Sequence, residues 1–308
     1  MSGGGSQSRA AIDGFLLVDK PSGWTSHDVV AKTRGMARQK KVGHAGTLDP
    51  MATGLLVIGL GHATRLLRFV QAFPKEYRTT AVFGVATDTL DADGAILSRE
   101  PMNVSAAEVA VVLDRFRGEI VQTPPMVSAR KVGGQRLYEL ARKGETVERE
   151  ARPVTIHELE LTDFAPSDYP EVSLRVVCST GTYIRTLADD VATALGGRAH
   201  LCRLRRVRNG SLDVGAAATI EVLEAAAEEE ALASRVIAPA AALGDLPAVS
   251  VAADLVRAVG NGQRLDDALL DIAPGLSGLV RVLDPAGNLL AVSNVIGGRV
   301  VPEVVVPQ

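Results

Sequence analysis

The stretch KVGHAGTLDPMATGLLVIGLGHATRLL, residues 41–67, decides how this chain folds. Gly46, Pro50 and Gly54 interrupt a run that is otherwise largely apolar. Glycine and proline are the strongest local interruptions of regular structure, and an apolar run bounded by them is typical of a buried strand. We therefore predict a structured loop that leads into a strand, with the carboxylate of Asp49 inside the loop.

The segments before and after this stretch carry strand and helix patterns. Residues 14–26, GFLLVDKPSGWTS, indicate a short buried strand and a Pro/Gly turn, after which Ser26 and Asp28 open a helix over 27–38. Residues 76–87 alternate between apolar and polar side chains, as a half-buried strand does.

Further helices are predicted downstream. Ser105 and Glu108 form a capping-box pattern ahead of apolar residues at helical spacing. Residues 172–197 predict a strand, a turn and then a helix that two glycines end, and Arg185 falls in the first turn of that helix. Strands and helices mixed in this way indicate an α+β domain.

A change in composition near residue 245 predicts a second domain. An acidic, Ala-rich helix near 220–234 precedes it, and the sequence beyond is Val-rich with few charges. Within that sequence, DPAGN at 284–288 has the composition of a hairpin turn. We therefore expect a disordered tail over 1–13, an α+β domain over 14–244 and a small β-rich domain over 245–308.

Composition favours a cytoplasmic protein without a metal site. The 308 residues are 46% apolar, and no apolar run approaches the roughly 20 residues that a membrane-spanning helix needs. The first ten residues are small and polar, so we expect no export signal. Cys178 and Cys202 are 24 residues apart, without the short Cys or His spacings of a zinc site, so we expect reduced thiols.

The net charge of −3 conceals an asymmetry along the chain. Residues 1–215 hold 28 Lys and Arg against 24 Asp and Glu, whereas residues 216–308 hold 5 against 12. An anionic partner such as nucleic acid would be attracted to the first part. Two clusters concentrate the positive charge, and each fits either a solvated face or a phosphate-binding surface. Their members are Lys32, Arg34, Arg38, Lys40 and Lys41, and Arg198, Arg203, Arg205, Arg206 and Arg208.

Asp49 has a setting that suits chemistry. An aspartate before a proline often caps a turn, and that interpretation stays open. If the carboxylate lies in a desolvated pocket, a guanidinium such as that of Arg185 would keep it ionised. Tyr77 and Tyr183 provide either stacking surfaces for a base or ordinary packing. His44 contacts substrate or fills the loop, and the histidines form no pattern of a hydrolytic triad or a metal site.

Five blocks of sequence, in order, resemble the TruB family of tRNA pseudouridine synthases. The block GHAGTLDPMATGLLVIGLGHATRLL is similar to the family's catalytic motif, whose aspartate is the nucleophile. The other blocks are DKPSGWTSHDVV (19–30), KEYRTTAVFGVATDTLDADG (75–94), PPMVSARKVGGQRLYELARKGE (124–145) and CSTGTYIRTLADDVATALGGRAHLCRLRRVRNG (178–210). The resemblance covers residues 14–215, and the tail from 245 resembles less distinctly the PUA-type RNA-binding module of this family.

The resemblance implies roles for the residues that match the family's motifs. Asp49 is then the catalytic carboxylate, Tyr77 the aromatic ring beneath a flipped base, and Arg185 the cation paired with the aspartate. His44 would help to hold the displaced RNA loop. The other candidate substrate-binding residues are Lys20, Lys131 and Leu204, which match pocket-forming positions, and Tyr183 beside the arginine. The departures from the family pattern are Val127, where Tyr or Phe is usual, and Arg65, where Lys is usual.

The resemblance also implies a fold and an activity. The fold is of the pseudouridine synthase type, α+β with a mixed, mainly antiparallel sheet, followed by a small β-rich PUA-like domain. The activity is the isomerisation of uridine 55 in the T loop of tRNA to pseudouridine, by base flipping and without a cofactor or metal. The partner is the T stem-loop of tRNA, recognised mainly by shape. No protein partner is implied, and we expect a monomer.

Two other functions fit the same residues. A tRNA-folding chaperone would bind the T arm through the basic clusters with little catalysis, and Asp49→Asn would leave its function intact. An N-glycosidase or base-exchange transferase would also cleave an N–C1′ bond, although it would usually need a second carboxylate or a water-activating base. Release of free uracil would identify this last class of enzyme.

Overall fold

The loop around Asp49 connects two strands of a large sheet, as its sequence predicts. The computed structural model describes residues 11–125, 131–132, 135–136, 149–266, 269–270, 272–273 and 275–307; Val127 and most of the expected tail over 1–13 lie outside these ranges. In chain order, the strands of the described residues are β1 (Gly14–Lys20), β2 (Val42–His44), β3 (Thr53–Leu60), β4 (Lys75–Phe83), β5 (Val85–Thr87), β6 (Ile96–Arg99), β7 (Gly118–Gln122), β8 (Lys131–Val132), β9 (Gln135–Arg136), β10 (Arg152–Ala165), β11 (Glu171–Cys178), β12 (Ala199–Asn209), β13 (Leu212–Asp213), β14 (Ala248–Ser250), β15 (Leu265–Asp266), β16 (Gly278–Leu283), β17 (Leu289–Ile296) and β18 (Arg299–Val305).

The large sheet is mixed and mainly antiparallel, as the resemblance implied. Its strand order is β1-β3-β12-β4-β11-β10-β7, with β2 beside β3 and β13 beside β12. Among these described strands, β3 and β12 form the parallel pair. The loop at 45–52 joins β2 to β3, two antiparallel neighbours, so both of its ends are fixed by the sheet.

The chain also contains helices, both between the strands of this sheet and in the sequence that follows it. Within the same described ranges they are α1 (Ser26–Ala37), α2 (Leu67–Ala72), α3 (Ala106–Leu113), α4 (Ile184–Ala194), α5 (Ile220–Glu228), α6 (Pro239–Ala242) and α7 (Val256–Gly260). As far as the chain is described, each of them is too short or too polar to cross a membrane.

Helix α1 begins with a different cap from the one that the sequence suggested. Thr25 is the N-cap: its hydroxyl accepts a hydrogen bond from the backbone N–H of Asp28, whose carboxylate accepts one from the backbone N–H of Thr25. This reciprocal capping box gives partners to two N–H groups that the helix itself leaves unpaired. Ser26, which was expected to open the helix as a cap, is instead the first helical residue, and its hydroxyl does not cap the helix.

The other helix predictions hold, with one correction in length. The capping box of Ser105 and Glu108 opens α3, and Arg185 lies in the first turn of α4. The acidic helix expected near 220–234 ends already at Glu228. Glu230 adopts a left-handed φ of 58°, which breaks the helix, and acidic side chains at a carboxyl end oppose the helix dipole.

Strands β1 and β3 bury side chains on both faces of the sheet. Alternate residues of a strand point to opposite faces. Leu16 and Leu56 face the main core, which is packed under α1, α3 and α4. Phe15 and Leu55 face a second apolar cluster, which also contains residues of α2 and α6. Because each fully buried side chain of this size contributes about 1.5–3 kcal/mol, the strands next to the Asp49 loop are anchored from both sides.

The β-rich sequence beyond 245 forms a second sheet with the order β14-β16-β17-β18-β15 in its described part. Residues 284–288 join β16 to β17, as the hairpin prediction required. Leu289, Val292 and Val304 of this sheet belong to the second apolar cluster together with residues of β1 and β3, so we call it the shared cluster. The position of the domain boundary near 245 stays a prediction.

Two arginines that follow β3 in the chain also contact β18 of the second sheet. Arg65 donates a hydrogen bond to the carbonyl oxygen of Val305 over 3.2 Å, and Arg68 lies 3.0 Å from the carboxylate of Glu303. Arg65 is the residue that stands where the family usually has lysine. In this chain the Arg65 guanidinium therefore has a structural role, because it binds the backbone of β18 in the second sheet.

Candidate active site

The loop that carries Asp49 is tied to its surroundings at several points. The backbone N–H of Ala45 donates to the carbonyl of Val57, and the carbonyl of Gly46 accepts from the guanidinium of Arg206 over 3.2 Å. At the far end, Gly54 has a φ of +99°, and a Cβ there would lie 2.2 Å from the carbonyl oxygen of Arg206. Glycine is therefore required where β3 meets β12.

The side chain of Lys20 is hydrogen-bonded to this loop. The side chain is fully buried, and its ammonium donates hydrogen bonds to the carbonyl oxygens of Pro21, Trp24 and Pro50 over 2.9, 2.6 and 3.2 Å. Burial lowers the pKa of Lys20 to about 8, although the nearby Asp49 carboxylate opposes the change. All three donors of the ammonium are engaged with backbone, so Lys20 fixes the loop and does not line the pocket.

Arg185 meets Asp49 directly, which sequence alone did not show. Its Nε lies 3.0 Å from Oδ2 of Asp49, and its Nη1 lies 3.0 Å from Oδ2 of Asp91 and donates to the carbonyl of Thr89 over 2.7 Å. The arginine side chain is only 3% exposed. One guanidinium thus bridges two carboxylates, and its orientation is fixed from the side away from Asp49.

Asp91 was missed by the sequence reasoning. It is buried, and its carboxylate also accepts a hydrogen bond from the hydroxyl of Thr89. The signal that could have revealed it is the acidic block DTLDADG at 88–94, which was quoted for the resemblance without a role for its acids. Nothing local to that block indicates that it folds back onto the first turn of α4.

Opposing effects set the pKa of the Asp49 carboxyl. Burial raises the pKa of the Asp49 carboxyl above its usual value, and the Arg185 guanidinium opposes the rise without cancelling it. The Asp91 carboxylate adds to the rise, and the Lys20 ammonium reduces it. A third of the Asp49 side chain, 34%, is exposed, and this exposed part faces the pocket. Water therefore reaches the carboxylate through the pocket.

The pocket beside Asp49 has a volume of about 270 Å³. That is close to the lower end of the roughly 300–1,000 Å³ range of small-molecule pockets, so it suits one nucleobase rather than a larger ligand. Tyr77 and Leu204 of the sheet line it, as do the turn at 179–183 and Arg185 of α4. Of the predicted site residues, Asp49, Tyr77, Tyr183, Arg185 and Leu204 are thus brought together.

Tyr77 lies on β4, opposite Arg206 of β12 and Val176 of β11 in the sheet register. Burial raises the pKa of its phenol, so the ring enters the site as a neutral aromatic surface. Arg206 is 1% exposed, and its Nε donates to the carbonyl of Leu55 over 2.7 Å. This arginine therefore connects the tyrosine, the strand β3 and the Asp49 loop.

Tyr183 is held by a residue that the sequence analysis also missed. Gln122 is 2% exposed; its Oε1 accepts from the backbone N–H of Tyr183 over 3.0 Å, and its Nε2 donates to the backbone carbonyl of Tyr183 over 3.3 Å. Tyr183 is the N-cap of α4 and has no side-chain cap of its own. The glutamine thus fixes the end of the helix from which Arg185 projects.

Three predicted residues are not among the described residues that line the pocket: Lys20, whose contacts are given above, His44 and Lys131. His44 lies on β2, where its ring makes an edge contact with His27 at a centroid distance of 5.6 Å. Burial first, and then the neighbouring His27 and Arg206, lower the pKa of His44 to about 4, so the ring is neutral at pH 7. Lys131 lies on the short strand β8, and its side chain is outside the described part of the structure.

The two basic clusters differ in how many of their cations are bound to other groups of this protein. In the second cluster, Arg198, Arg205 and Arg208 form ion pairs with acids of this chain, and Arg206 binds backbone carbonyls. The phosphate-binding interpretation of that cluster therefore loses most of its support. In the first cluster, Lys32 pairs with an acid of α5, whereas the last three members are exposed ahead of β2, whose Val42 pairs with Leu60 at the far end of β3 from Gly54. They are Arg38, Lys40 and Lys41.

Two solved structures share this fold. The "Crystal Structure of a Cbf5-Nop10-Gar1 Complex" contains a chain that is 26% identical with a TM-score of 0.76, over 96% of this chain and 86% of that one. The "Structure of H/ACA RNP bound to a substrate RNA containing 2'-deoxyuridine" matches at 25% identity and a TM-score of 0.74, over 95% and 84% of the two chains. The mixed sheet of this chain is thus of the pseudouridine synthase type.

Sequence comparison identifies the branch of that class. Residues 34–184 match the TruB family pseudouridylate synthase (N terminal domain), and residues 185–243 match the tRNA pseudouridylate synthase B C-terminal domain. Proteins named tRNA pseudouridine synthase B are similar: that of Thermobifida fusca is 45% identical over 95% of this chain and 98% of its own, and that of Symbiobacterium thermophilum is 49% identical over 80% of each. The chain belongs to the TruB family, and it is an enzyme that isomerises uridine to pseudouridine.

Proposed function

We propose that the enzyme converts uridine 55 in the T loop of tRNA to pseudouridine, with Asp49 as the catalytic carboxylate. The observation that carries the proposal is the 3.0 Å contact between Asp49 and Arg185 beside the pocket that Tyr77 lines. The names of the relatives support tRNA as the substrate class. The position within tRNA follows from the resemblance of the motif around Asp49.

The reaction breaks the N1–C1′ bond, turns the uracil in place and joins C5 to C1′. The hydrogen on C5 then leaves as a proton, and N1 takes up a proton, so that the product is an isomer of uridine. Asp49 acts as a nucleophile toward C1′ or the base, or it removes a ribose proton to give a glycal. Each route starts from an ionised carboxylate. Arg185 lowers the pKa that burial raises, and it orients the carboxylate toward the pocket.

Tyr77 and Leu204 hold the detached uracil while it turns. Flipping a base out of its stack costs a few kcal/mol, and stacking on an aromatic ring returns about 1–3 kcal/mol per base. A pocket that suits a single base also keeps water away from the broken bond. The neutral phenol of Tyr77 suits this role, because it offers a face to the base without adding charge near Asp49.

The RNA approaches from the side of the exposed cations. Arg38, Lys40 and Lys41 are exposed ahead of β2 and would contact phosphates of the T arm at a distance from the reacting base. By resemblance, we assign His44 to contacts with the displaced RNA loop and Lys131 to the formation of the pocket. The PUA-like domain, residues 245–308, belongs to the acidic part of the chain and would add little phosphate binding. The enzyme works as a monomer in the cytoplasm, where its substrate is found.

The test is release of tritium from tRNA labelled at C5 of uridine, measured for the wild type and for Asp49→Asn at equal tRNA binding. We expect release by the wild type alone, without free uracil. Release by neither protein would favour the tRNA-folding chaperone, and free uracil would indicate an N-glycosidase. An isolated T stem-loop should replace full-length tRNA, because loops are read largely by shape.

A further inference from the structure

Ser26 has a buried hydroxyl that neither the helix cap nor the pocket uses. The residue is 1% exposed, and Thr25 takes the capping role at the start of α1. The Ser26 Oγ instead accepts a hydrogen bond from the backbone N–H of Leu48 over 2.9 Å and donates one to the backbone carbonyl of Leu48 over 3.2 Å. A single side chain thus satisfies both backbone groups of the residue before Asp49.

The second of these hydrogen bonds acts on the peptide group that leads into Asp49. The carbonyl of Leu48 and the N–H of Asp49 belong to one planar unit, so a bond to that carbonyl restrains the orientation of the whole plane. On the other side, Pro50 limits the backbone of Asp49, and the carbonyl of Pro50 accepts from Lys20 and from the backbone N–H of Gly23. The backbone of Asp49 is thus held from both directions.

We propose that Ser26 is a positioning residue for the reaction, which sets the Asp49 carboxylate against Arg185 by fixing the Leu48–Asp49 peptide plane. The proposal rests on the proposed function of Asp49. It assigns Ser26 no contact with substrate. The hydroxyl acts through the loop backbone, from the first residue of α1.

Positioning of this kind is needed because the two members of the pair come from different parts of the fold. Arg185 is held on α4 by Asp91 and by the carbonyl of Thr89, so it cannot follow a displaced partner. Hydrogen bonds weaken steeply as distance and angle depart from ideal values. A misplacement of about 1 Å in an active site can reduce the rate about 100-fold.

The test compares Ser26→Ala with Thr33→Val. Thr33 is a matched control: it lies on the same helix, is fully buried, and donates its hydroxyl to the carbonyl of Val29 over 2.8 Å, away from the loop. Both variants lose a buried hydroxyl that binds backbone, so both should melt at a lower temperature. We expect kcat to fall about 10- to 100-fold for Ser26→Ala, with KM for the T stem-loop within about threefold, and kcat for Thr33→Val to stay near wild type.

The pH profile of single turnover provides a second readout that a merely structural hydroxyl would not move. The groups that set the ionisation of Asp49 are Arg185, Asp91 and Lys20. If Ser26→Ala loosens the contact with Arg185, the pKa of Asp49 rises further, and the acidic limb of the rate profile moves to higher pH. The limb should stay in place for Thr33→Val.

The proposal is overturned if Ser26→Ala keeps the kcat and pH profile of Thr33→Val, or if both variants lose kcat equally. Asp49→Asn is measured beside them, so that a failure of the proposed function is seen separately. Activity retained by Asp49→Asn would refute the role of Asp49 itself. Loss of activity in Asp49→Asn together with a wild-type rate for Ser26→Ala would refute only the role of Ser26.

Discussion

Oδ2 of Asp91 lies 3.0 Å from Nη1 of Arg185, at the end of the guanidinium away from the catalytic loop. The contact brings the acidic block at 88–94 to the first turn of α4. Asp91 is buried, so it fixes the arginine in a region of low dielectric where a charge-assisted hydrogen bond is strong. The arginine reaches the catalytic loop from a fixed anchor.

Asp91→Asn should slow the reaction without weakening tRNA binding. The amide keeps the shape of the side chain and loses the charge that anchors Arg185, so we expect kcat to fall about 10- to 100-fold. Single-turnover rates and tRNA binding are measured together. Asp93→Asn, an exposed acid of the same block, is the control and should behave as wild type. A tRNA-binding defect of the same size as the rate defect would contradict this prediction.

Tyr77→Ala should be far more damaging than Tyr77→Phe. Stacking is worth about 1–3 kcal/mol per base, which corresponds to a loss of about 5- to 150-fold in rate when the ring is removed. Phenylalanine retains the ring and should keep the rate within about threefold, because the phenol is neutral in the site. Equal losses in the two variants would show that the hydroxyl, rather than the ring, is required.

Turnover should fall on acidification through the pKa of Asp49. Burial raises this pKa above the usual value, and only the ionised carboxylate reacts, so the rate is fully developed above the raised pKa and is lost below it. Arg185→Gln removes the opposing cation, so it should lower kcat and also move the acidic limb to higher pH. Single-turnover rates between about pH 4 and pH 8, with tRNA saturating at each point, measure the limb. An unmoved limb in Arg185→Gln would contradict the assignment.

Leu289→Ala should destabilise the whole protein rather than the second sheet alone. Leu289 is 4% exposed in the shared cluster, and such a truncation costs about 2–5 kcal/mol. Ile296 on the same strand is 60% exposed, so Ile296→Ala should change stability by less than about 0.5 kcal/mol. Thermal unfolding followed by circular dichroism should show one transition that moves only for Leu289→Ala. Two separate transitions, with one unmoved, would be the contrary result.

The sequence predicted correctly those elements of the fold that depend on a few neighbouring residues. The Gly/Pro pattern around Asp49, the capping box at Ser105 and the turn at 284–288 each act over a few residues, and each appears where it was expected. The acidic helix was predicted too long because the left-handed conformation at Glu230 is not marked by glycine. The cap of α1 was misplaced by one residue, since Thr25 and Ser26 are both good caps and only tertiary contact separates them.

The site was only partly predictable from sequence. Asp49, Arg185 and Tyr77 come from motif resemblance, and the structure adds the 3.0 Å contact between Asp49 and Arg185 and the position of Tyr77 in the pocket lining. Asp91 and Gln122 act through contacts that span 94 and 61 residues, and no local pattern records such pairings. Runs of basic residues predicted phosphate-binding surfaces poorly, because most arginines of the second cluster are bound to other groups of the protein.

The shared cluster has a consequence for the order of events during synthesis. Phe15 and Leu55 are made well before Val292 and Val304, which cover the same apolar surface. Until those late residues have left the ribosome, one face of β1 and β3 has no complete cover. Contacts of such long sequence separation form slowly. The nascent chain should therefore acquire a rigid catalytic loop only after residues 292–304 have been made, and shorter nascent forms should be the ones that need chaperones.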